Sequence, residues 1–265
     1  MNINFAFIRH GFGCHNYINN FNKEIRDQYS NKVDPVLTGL GKQASVSNGE
    51  VIADILKSLS FFTKDPRLQI NTIHIIGCSP LIRCMETAYY MTREWHNPPK
   101  KIYVFPFLRE IDEGSDNKYS NVSRYNIDNI SSYAMATINE QKDYLQSQGI
   151  LEFFDFSFIE FYYKERNEPG DIPTFINWFN NSFLPLTEYR PNLNAFIITH
   201  SGVLHDFSGE RFYNNSGIVV NTVSPLSNGG KTLSNQNINK FVSLNKFLPN
   251  TFFIDYMNPK YNKKL

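Results

Sequence analysis

The sequence predicts an α/β protein whose central strands run parallel. Three observations carry that prediction. Four short apolar runs, at 3–8, 72–77, 101–108 and 194–199, are separated by stretches with helical periodicity. Each run ends abruptly in charged or polar residues: Arg9-His10, Cys78-Ser79, Arg109-Glu110 and His200-Ser201. Parallel strands in an open sheet bring such ends to one edge, where strand-to-helix turns leave backbone N–H groups and side chains facing a common crevice.

Length and charge bound the rest. A chain of 265 residues can bury a sizeable core, and a single domain over 1–265 is the expectation. A net charge of +1 without a long Lys/Arg block argues against nucleic acid or an anionic membrane surface as the main partner. The three cysteines, Cys14, Cys78 and Cys84, show no paired spacing, which points to a reducing compartment rather than a disulfide framework. No apolar run approaches the roughly 20 residues of a membrane span, so the expected setting is soluble and cytoplasmic. Asn pairs such as Asn19-Asn20 and Asn180-Asn181 belong to a general bias toward Asn, Ile, Lys, Tyr and Phe and call for no functional account.

Taken in order, the first strand delivers Arg9 and His10 into Gly11-Phe12-Gly13-Cys14-His15-Asn16, where the glycines allow backbone to approach an anion closely. Thr38 is placed to cap a helix reaching Ser60, with Ala44, Val51, Ile52, Ile55, Leu56 and Leu59 as its apolar stripe. Gly39, Gly41 and Gly49 each weaken that helix by about 1 kcal/mol relative to Ala, a cost that a close backbone approach would explain. After the second strand, Ser79 and Pro80 start a helix to Trp95, with Leu81, Cys84, Thr87, Ala88 and Met91 on its apolar face. Arg83 sits in its first turn, unfavourable for the helix dipole unless an anion binds there. The structural alternative is a salt bridge to Glu86. His74 and His96 read as structural.

The third strand ends at Leu108-Arg109-Glu110, followed by Asp112 and Glu113 as alternative acids. Residues 112–170 lack sustained strand-helix alternation and are expected to form a cap or insertion over the site. Within it, 133–145 is a modest helix, 153–163 an aromatic packing run, and Tyr119, Arg124, Tyr125 and Tyr133 are candidate substrate contacts. Residues 172–184 form an amphipathic helix with Phe175, Ile176, Phe179 and Phe183 on one face. A short helix to Phe207 follows the fourth strand, and 217–225 and 241–254 are later strands.

Together these strand ends make an anion site. Two arginines can hold phosphoryl oxygens, one imidazole can attack phosphorus, a second can hydrogen-bond the equatorial oxygens, and a carboxyl group can protonate the leaving oxygen. His10 would need its other ring nitrogen bound to a backbone carbonyl, and adjacent guanidiniums should lower its pKa.

Five segments in order now resemble the histidine phosphatase superfamily, the phosphoglycerate mutase-like proteins. They are Arg9-His10-Gly11 with His15-Asn16, Leu37-Thr38 through Gln43-Ala44, Ser79-Pro80-Leu81 with Arg83 and Thr87-Ala88, Leu108-Arg109-Glu110, and Thr199-His200-Ser201-Gly202. The resemblance implies a three-layer α/β/α sandwich with a largely parallel central sheet. It also implies a phosphoric monoester hydrolase of the histidine acid phosphatase kind, working without metal or cofactor through phosphohistidine on His10. Glu110 would be the general acid and base, His200 the second histidine, and Arg9, Arg83 and Asn16 the phosphate contacts. His15 is a further candidate phosphate donor.

The loop departs from many relatives at Phe12 and His15, and no mutase-like Glu-Arg-His segment lies near Glu110, which favours hydrolase over mutase-type phosphotransferase. A catalytically silent phosphate-binding module on the same fold is the other alternative. The spacings His10-x4-His15 and His200-x4-His205 could suggest a metal, but Arg9 and Arg83 would repel a cation. The expected partner is a phosphorylated small molecule or a phosphopeptide, with no basis for choosing among sugars, nucleotides, inositols and peptides, nor for an oligomeric state.

Overall fold

Among the described residues six strands form one sheet in the order β4-β3-β2-β5-β1-β6. They are β1 (Ile3–Arg9), β2 (Ile75–Cys78), β3 (Ile102–Val104), β4 (Phe154–Asp155), β5 (Leu193–Thr199) and β6 (Ile218–Val223). The computed structural model describes residues 3–18, 34–58, 73–95, 98, 100–111, 130–161, 170–187, 193–208 and 218–223. Strands β1 to β5 are mutually parallel, and β6 joins β1 antiparallel. The prediction of a largely parallel sheet therefore holds.

Alternation along each strand divides the core into two layers. Ala6, Ile8, Ile76, Cys78, Phe196 and Ile198 face one side. There they meet Ile52 of α2 (Gly39–Ser58), Cys84, Met85, Ala88 and Met91 of α3 (Ile82–Thr92), and Ile138 and Leu145 of α4 (Ile130–Ser147). Phe5, Phe7, Ile75, Ala195 and Ile197 face the other side. Their partners are Phe175, Ile176 and Trp178 of α6 (Ile172–Trp178) and Val203 and Leu204 of α7 (Ser201–Ser208). Helices cover both faces, giving the three-layer sandwich.

The second face is largely aromatic. Phe105 packs on Phe175, Trp178, Phe179 and Phe183 at centroid distances of 5.7, 5.5, 5.8 and 4.8 Å. The four residues expected on one face of 172–184 are all buried, but the helix differs from expectation. It is α-helical only to Trp178, then widens into a π turn over Phe179–Phe183 and a 3-10 turn over Leu184–Leu186. Pro185 has no N–H to continue an α ladder, so the last turns change pitch there. Asp171 caps its start by accepting from the Thr174 N–H at 3.1 Å.

On α2, Gly41, Ser45, Asn48, Gly49 and Ile52 are buried; Ile52 belongs to the expected apolar stripe, while the side chains of Val51, Ile55, Leu56 and Leu59 lie outside those described. A Cβ at Gly41 would strike the Phe12 carbonyl, and one at Gly49 the Met91 carbonyl of α3. That close approach accounts for both glycines. Of the segment 112–170, expected as a cap, residues 138–159 pack into the sandwich through Ile138, Leu145, Ile150, Phe154, Phe156 and Ile159. They also supply the edge strand β4 and lead into α5 (Ser157–Phe161). Residues 112–129 and 241–254 lie outside the described residues, as do His96, Asp112, Glu113, Tyr119, Arg124, Tyr125 and the Tyr133 side chain.

No described helix is long and apolar enough to cross a membrane. All three cysteines are free thiols, with Cys78 and Cys84 buried.

Candidate active site

Strand β5 lies between β1 and β2, so the chain leaves β1 in one direction and later returns beside it. Such a reversal opens a crevice at the C-terminal ends of the strands. Register places the site residues at one level. Arg9 pairs with Thr199 across β1 and β5, and Cys78 with Ile198 across β2 and β5. The ladder continues one bond further, with the His10 N–H donating to Thr199 O at 2.9 Å and the Ser79 N–H to Ile198 O at 2.8 Å. His10, Ser79 and His200 thus leave three neighbouring strands side by side.

His10 is 1% exposed, and its ring centroid lies 5.2 Å from that of His200 and 5.3 Å from that of His15. Nδ1 stands 2.7 Å from the carbonyl oxygen of Gly11. A carbonyl only accepts, so Nδ1 carries the proton and Nε2 is the unprotonated nitrogen. The carbonyl partner expected from the sequence is therefore present. Burial, followed by the charges of Arg83, His200, His15 and Arg9, holds the His10 pKa well below the usual histidine value.

Arg83 reaches from the first turn of α3 between the two imidazoles. Its Nε–H donates to His10 Nε2 at 3.4 Å, and Nη2 lies 3.3 Å from His200 Nδ1. Guanidinium only donates, so His200 accepts at Nδ1 and holds its proton on Nε2, which donates to Ser79 Oγ at 2.8 Å. Cys84 Sγ lies 3.4 Å from the same Nε2. Burial and then Arg83 hold the pKa of His200 low as well.

The alternative pairing of Arg83 with Glu86 gives way to a different arrangement. Glu86 is fully buried, pairs with Lys42 Nζ at 2.8 Å, and accepts from the Leu37 N–H at 2.6 Å and the Tyr144 hydroxyl at 2.7 Å.

Arg9 at the end of β1 is partly buried. Burial lowers its guanidinium to about 10, with Glu110 opposing that fall and Arg83 adding to it, so it remains charged at neutral pH. Glu110 accepts from its neighbour's Ile111 N–H at 3.0 Å and from the Gly202 N–H, in the first turn of α7, at 3.4 Å. Asn16, in α1 (Cys14–Ile18), accepts at Oδ1 from the Gly13 N–H at 3.0 Å, which closes the anion loop on itself. Beside it, His15 keeps a buried Nδ1 without a hydrogen-bond partner among the described residues. Burial, Arg83 and Arg9 lower its pKa. Together these groups form a positively charged, donor-rich pocket beside one carboxylate, which suits an oxyanion. Among the described residues no three His, Cys, Asp or Glu side chains are grouped to hold a metal ion.

Sequence reasoning missed three supports of this site. Helix α3 begins at Ile82, with Leu81 at the cap and no side-chain cap bond of its own. Ser79, expected to be the cap, accepts from the Leu81 N–H at 3.4 Å and also orients His200. The cap comes from a distance: Asp34 Oδ1 accepts from the Ile82 N–H at 2.9 Å, and Oδ2 accepts from Gln141 Nε2 at 2.7 Å. Thr87, placed on the apolar face and in the segment with Arg83 but given no role of its own, accepts from the Gly11 N–H at 2.8 Å. Its spacing of four from Arg83 places both on one side of the helix, the available signal.

No family model and no curated protein matches the chain. Among solved structures it is similar to a phosphoserine phosphatase mutant from Entamoeba histolytica in complex with phosphoserine, at 13% identity and TM-score 0.40, covering 93% of this chain and 100% of that one. It is also similar to a mycobacterial glucosyl-3-phosphoglycerate phosphatase complexed with VO3, at 11% identity and TM-score 0.39, covering 83% and 92%. A third likeness is to mycobacterial hydrolase 2, at 14% identity and TM-score 0.43, covering 92% and 94%. With identities of 11–14%, the chemistry rests on this chain's own residues.

Proposed function

We propose that the protein is a metal-independent phosphomonoester hydrolase that works through a phosphohistidine on His10. The observation that carries this reading is the bond from His10 Nδ1–H to the Gly11 carbonyl at 2.7 Å, which leaves Nε2 as a neutral nucleophile at the centre of an arginine- and imidazole-lined pocket. The resemblance to the histidine phosphatase superfamily in five ordered motifs agrees with it.

Arg83 exchanges its bonds to His10 and His200 for phosphoryl oxygens, and Arg9 takes a further oxygen. His10 Nε2 then attacks phosphorus as the P–O bond to the leaving alcohol breaks. Glu110, acting as the general acid, supplies a proton to that oxygen. In the second step the Glu110 carboxylate takes a proton from water, whose oxygen attacks phosphorus and releases phosphate from Nε2. Once Arg83 has left Nδ1, the single proton of neutral His200 passes from Nε2 to Nδ1 by exchange with solvent, and Nδ1–H then donates to an equatorial oxygen. Ser79 Oγ, which can donate as well as accept, satisfies Nε2 in either state. Asn16 and His15 line the same anion loop. The substrate is a phosphorylated small molecule or phosphopeptide.

Hydrolysis of an aryl phosphate in the presence of a chelator tests the reading. Turnover lost in His10→Ala supports it. Equal activity in His10→Ala and wild type overturns it. A second reading, a silent phosphate-binding module, would show phosphate ester binding without turnover across phosphosugars, nucleotides and phosphopeptides.

A further inference from the structure

One helix holds both ends of the His10 imidazole. Arg83, in the first turn of α3, meets Nε2 directly. One turn later, the Thr87 hydroxyl is fully buried and bonded on two sides. It donates to the Arg83 carbonyl at 2.6 Å and accepts from the Gly11 N–H at 2.8 Å. The same Gly11 residue gives its carbonyl to His10 Nδ1 at 2.7 Å.

A hydroxyl whose proton is committed to a carbonyl can only accept from other partners, so Thr87 presents a lone pair to Gly11 and fixes the backbone there. We infer that Thr87 is a positioning residue: it locks the Gly11 backbone so that its carbonyl keeps the His10 proton on Nδ1 and leaves Nε2 aimed at the substrate. This rests on the proposed phosphohistidine chemistry for its kinetic consequence, but its structural claim concerns the His10 tautomer alone.

Replacing the hydroxyl by a methyl group at nearly constant volume leaves the buried Gly11 N–H without its acceptor and frees the backbone to rotate. Thr92 provides a matched control. It is 3% exposed on the same helix and makes the same hydroxyl-to-carbonyl bond, to Ala88 O at 2.7 Å, with no bond to the anion loop among the described residues.

The experiment compares Thr87→Val, Thr87→Ser and Thr92→Val by steady-state kinetics on an aryl phosphate and by NMR of nitrogen-labelled imidazoles. The His10 signal is assigned by its loss in His10→Asn. In Thr87→Val, kcat should fall by about 10- to 100-fold with KM within about twofold. Its His10 signal should move from a single Nδ1–H form toward a mixture of tautomers. Thr87→Ser should restore both, and Thr92→Val should match wild type in both.

An unchanged His10 signal in Thr87→Val overturns the inference whatever kcat does, and so does an equal kcat loss in Thr92→Val. If wild type shows no turnover, the hydrolase reading fails while the NMR comparison still decides the role of Thr87.

Discussion

Acidification from pH 7 to 5.5 should destabilise the folded protein steeply, because three neighbouring imidazoles are held neutral by the fold. Burial and the two guanidiniums push the pKa of His10, His15 and His200 well below the ordinary value of 6.5. In the unfolded chain each regains that ordinary value and takes up a proton in this window, whereas in the folded chain it does not. The unfolded state therefore binds more protons, and stability falls as pH falls. For one group with an unfolded pKa of 6.5 the loss between pH 7 and 5.5 is about 1.3 kcal/mol, and for three it is about 4 kcal/mol. That is a large part of the roughly 5–15 kcal/mol that holds a typical domain together.

The assay is urea unfolding at half-unit pH steps across that window, above the range where most carboxylates titrate. His10→Asn should remove about a third of the loss, about 1.3 kcal/mol. Inorganic phosphate should restore stability at low pH by favouring charged imidazoles in the pocket. A wild-type loss below about 1.3 kcal/mol, or the same pH dependence in His10→Asn, would refute the claim that these rings are neutral when folded.

The lowered His10 pKa also predicts that the acid limb of kcat/KM lies below pH 6.5, since the nucleophile remains unprotonated there. A limb centred on 6.5 would contradict it. Arg83→Lys should reduce kcat/KM by about 100-fold, because an ammonium cannot span the two positions the guanidinium holds between His10 and His200. Full activity in that variant would remove Arg83 from the pocket's chemistry. Gly49→Ala should lower stability by about 1–3 kcal/mol without changing KM, because its Cβ meets the Met91 carbonyl where α2 crosses α3. Equal urea midpoints would show that the two helices can separate at no cost.

The parts of this fold legible in the sequence are those written in local pattern. Four apolar runs ending in polar residues gave the parallel sheet and brought His10, Arg83, Glu110 and His200 to one edge. The Thr38 cap of α2 is also visible: its Oγ accepts from the Gly41 N–H at 2.9 Å. What was not legible depends on contacts between distant segments. Asp34 caps a helix 48 residues away, and nothing near Ile82 announces it. Ser79 before Pro80 has the pattern of an N-cap, yet its hydroxyl also meets His200, 121 residues on. The two glycines of α2 sit against the carbonyls of Phe12 and Met91, contacts that only the tertiary fold reveals. Strand β4 has only 2 residues, too short for periodicity to appear.

Trapping the phosphoenzyme is the measurement that bears most directly on the central claim. Wild type mixed with a labelled aryl phosphate in the presence of chelator and quenched within a turnover should carry acid-labile, base-stable phosphate on the peptide containing His10. His10→Ala should carry none, and Glu110→Gln should slow turnover while leaving the label on His10. Label on a serine or glutamate, or turnover in His10→Ala at the wild-type rate, would contradict the phosphohistidine account.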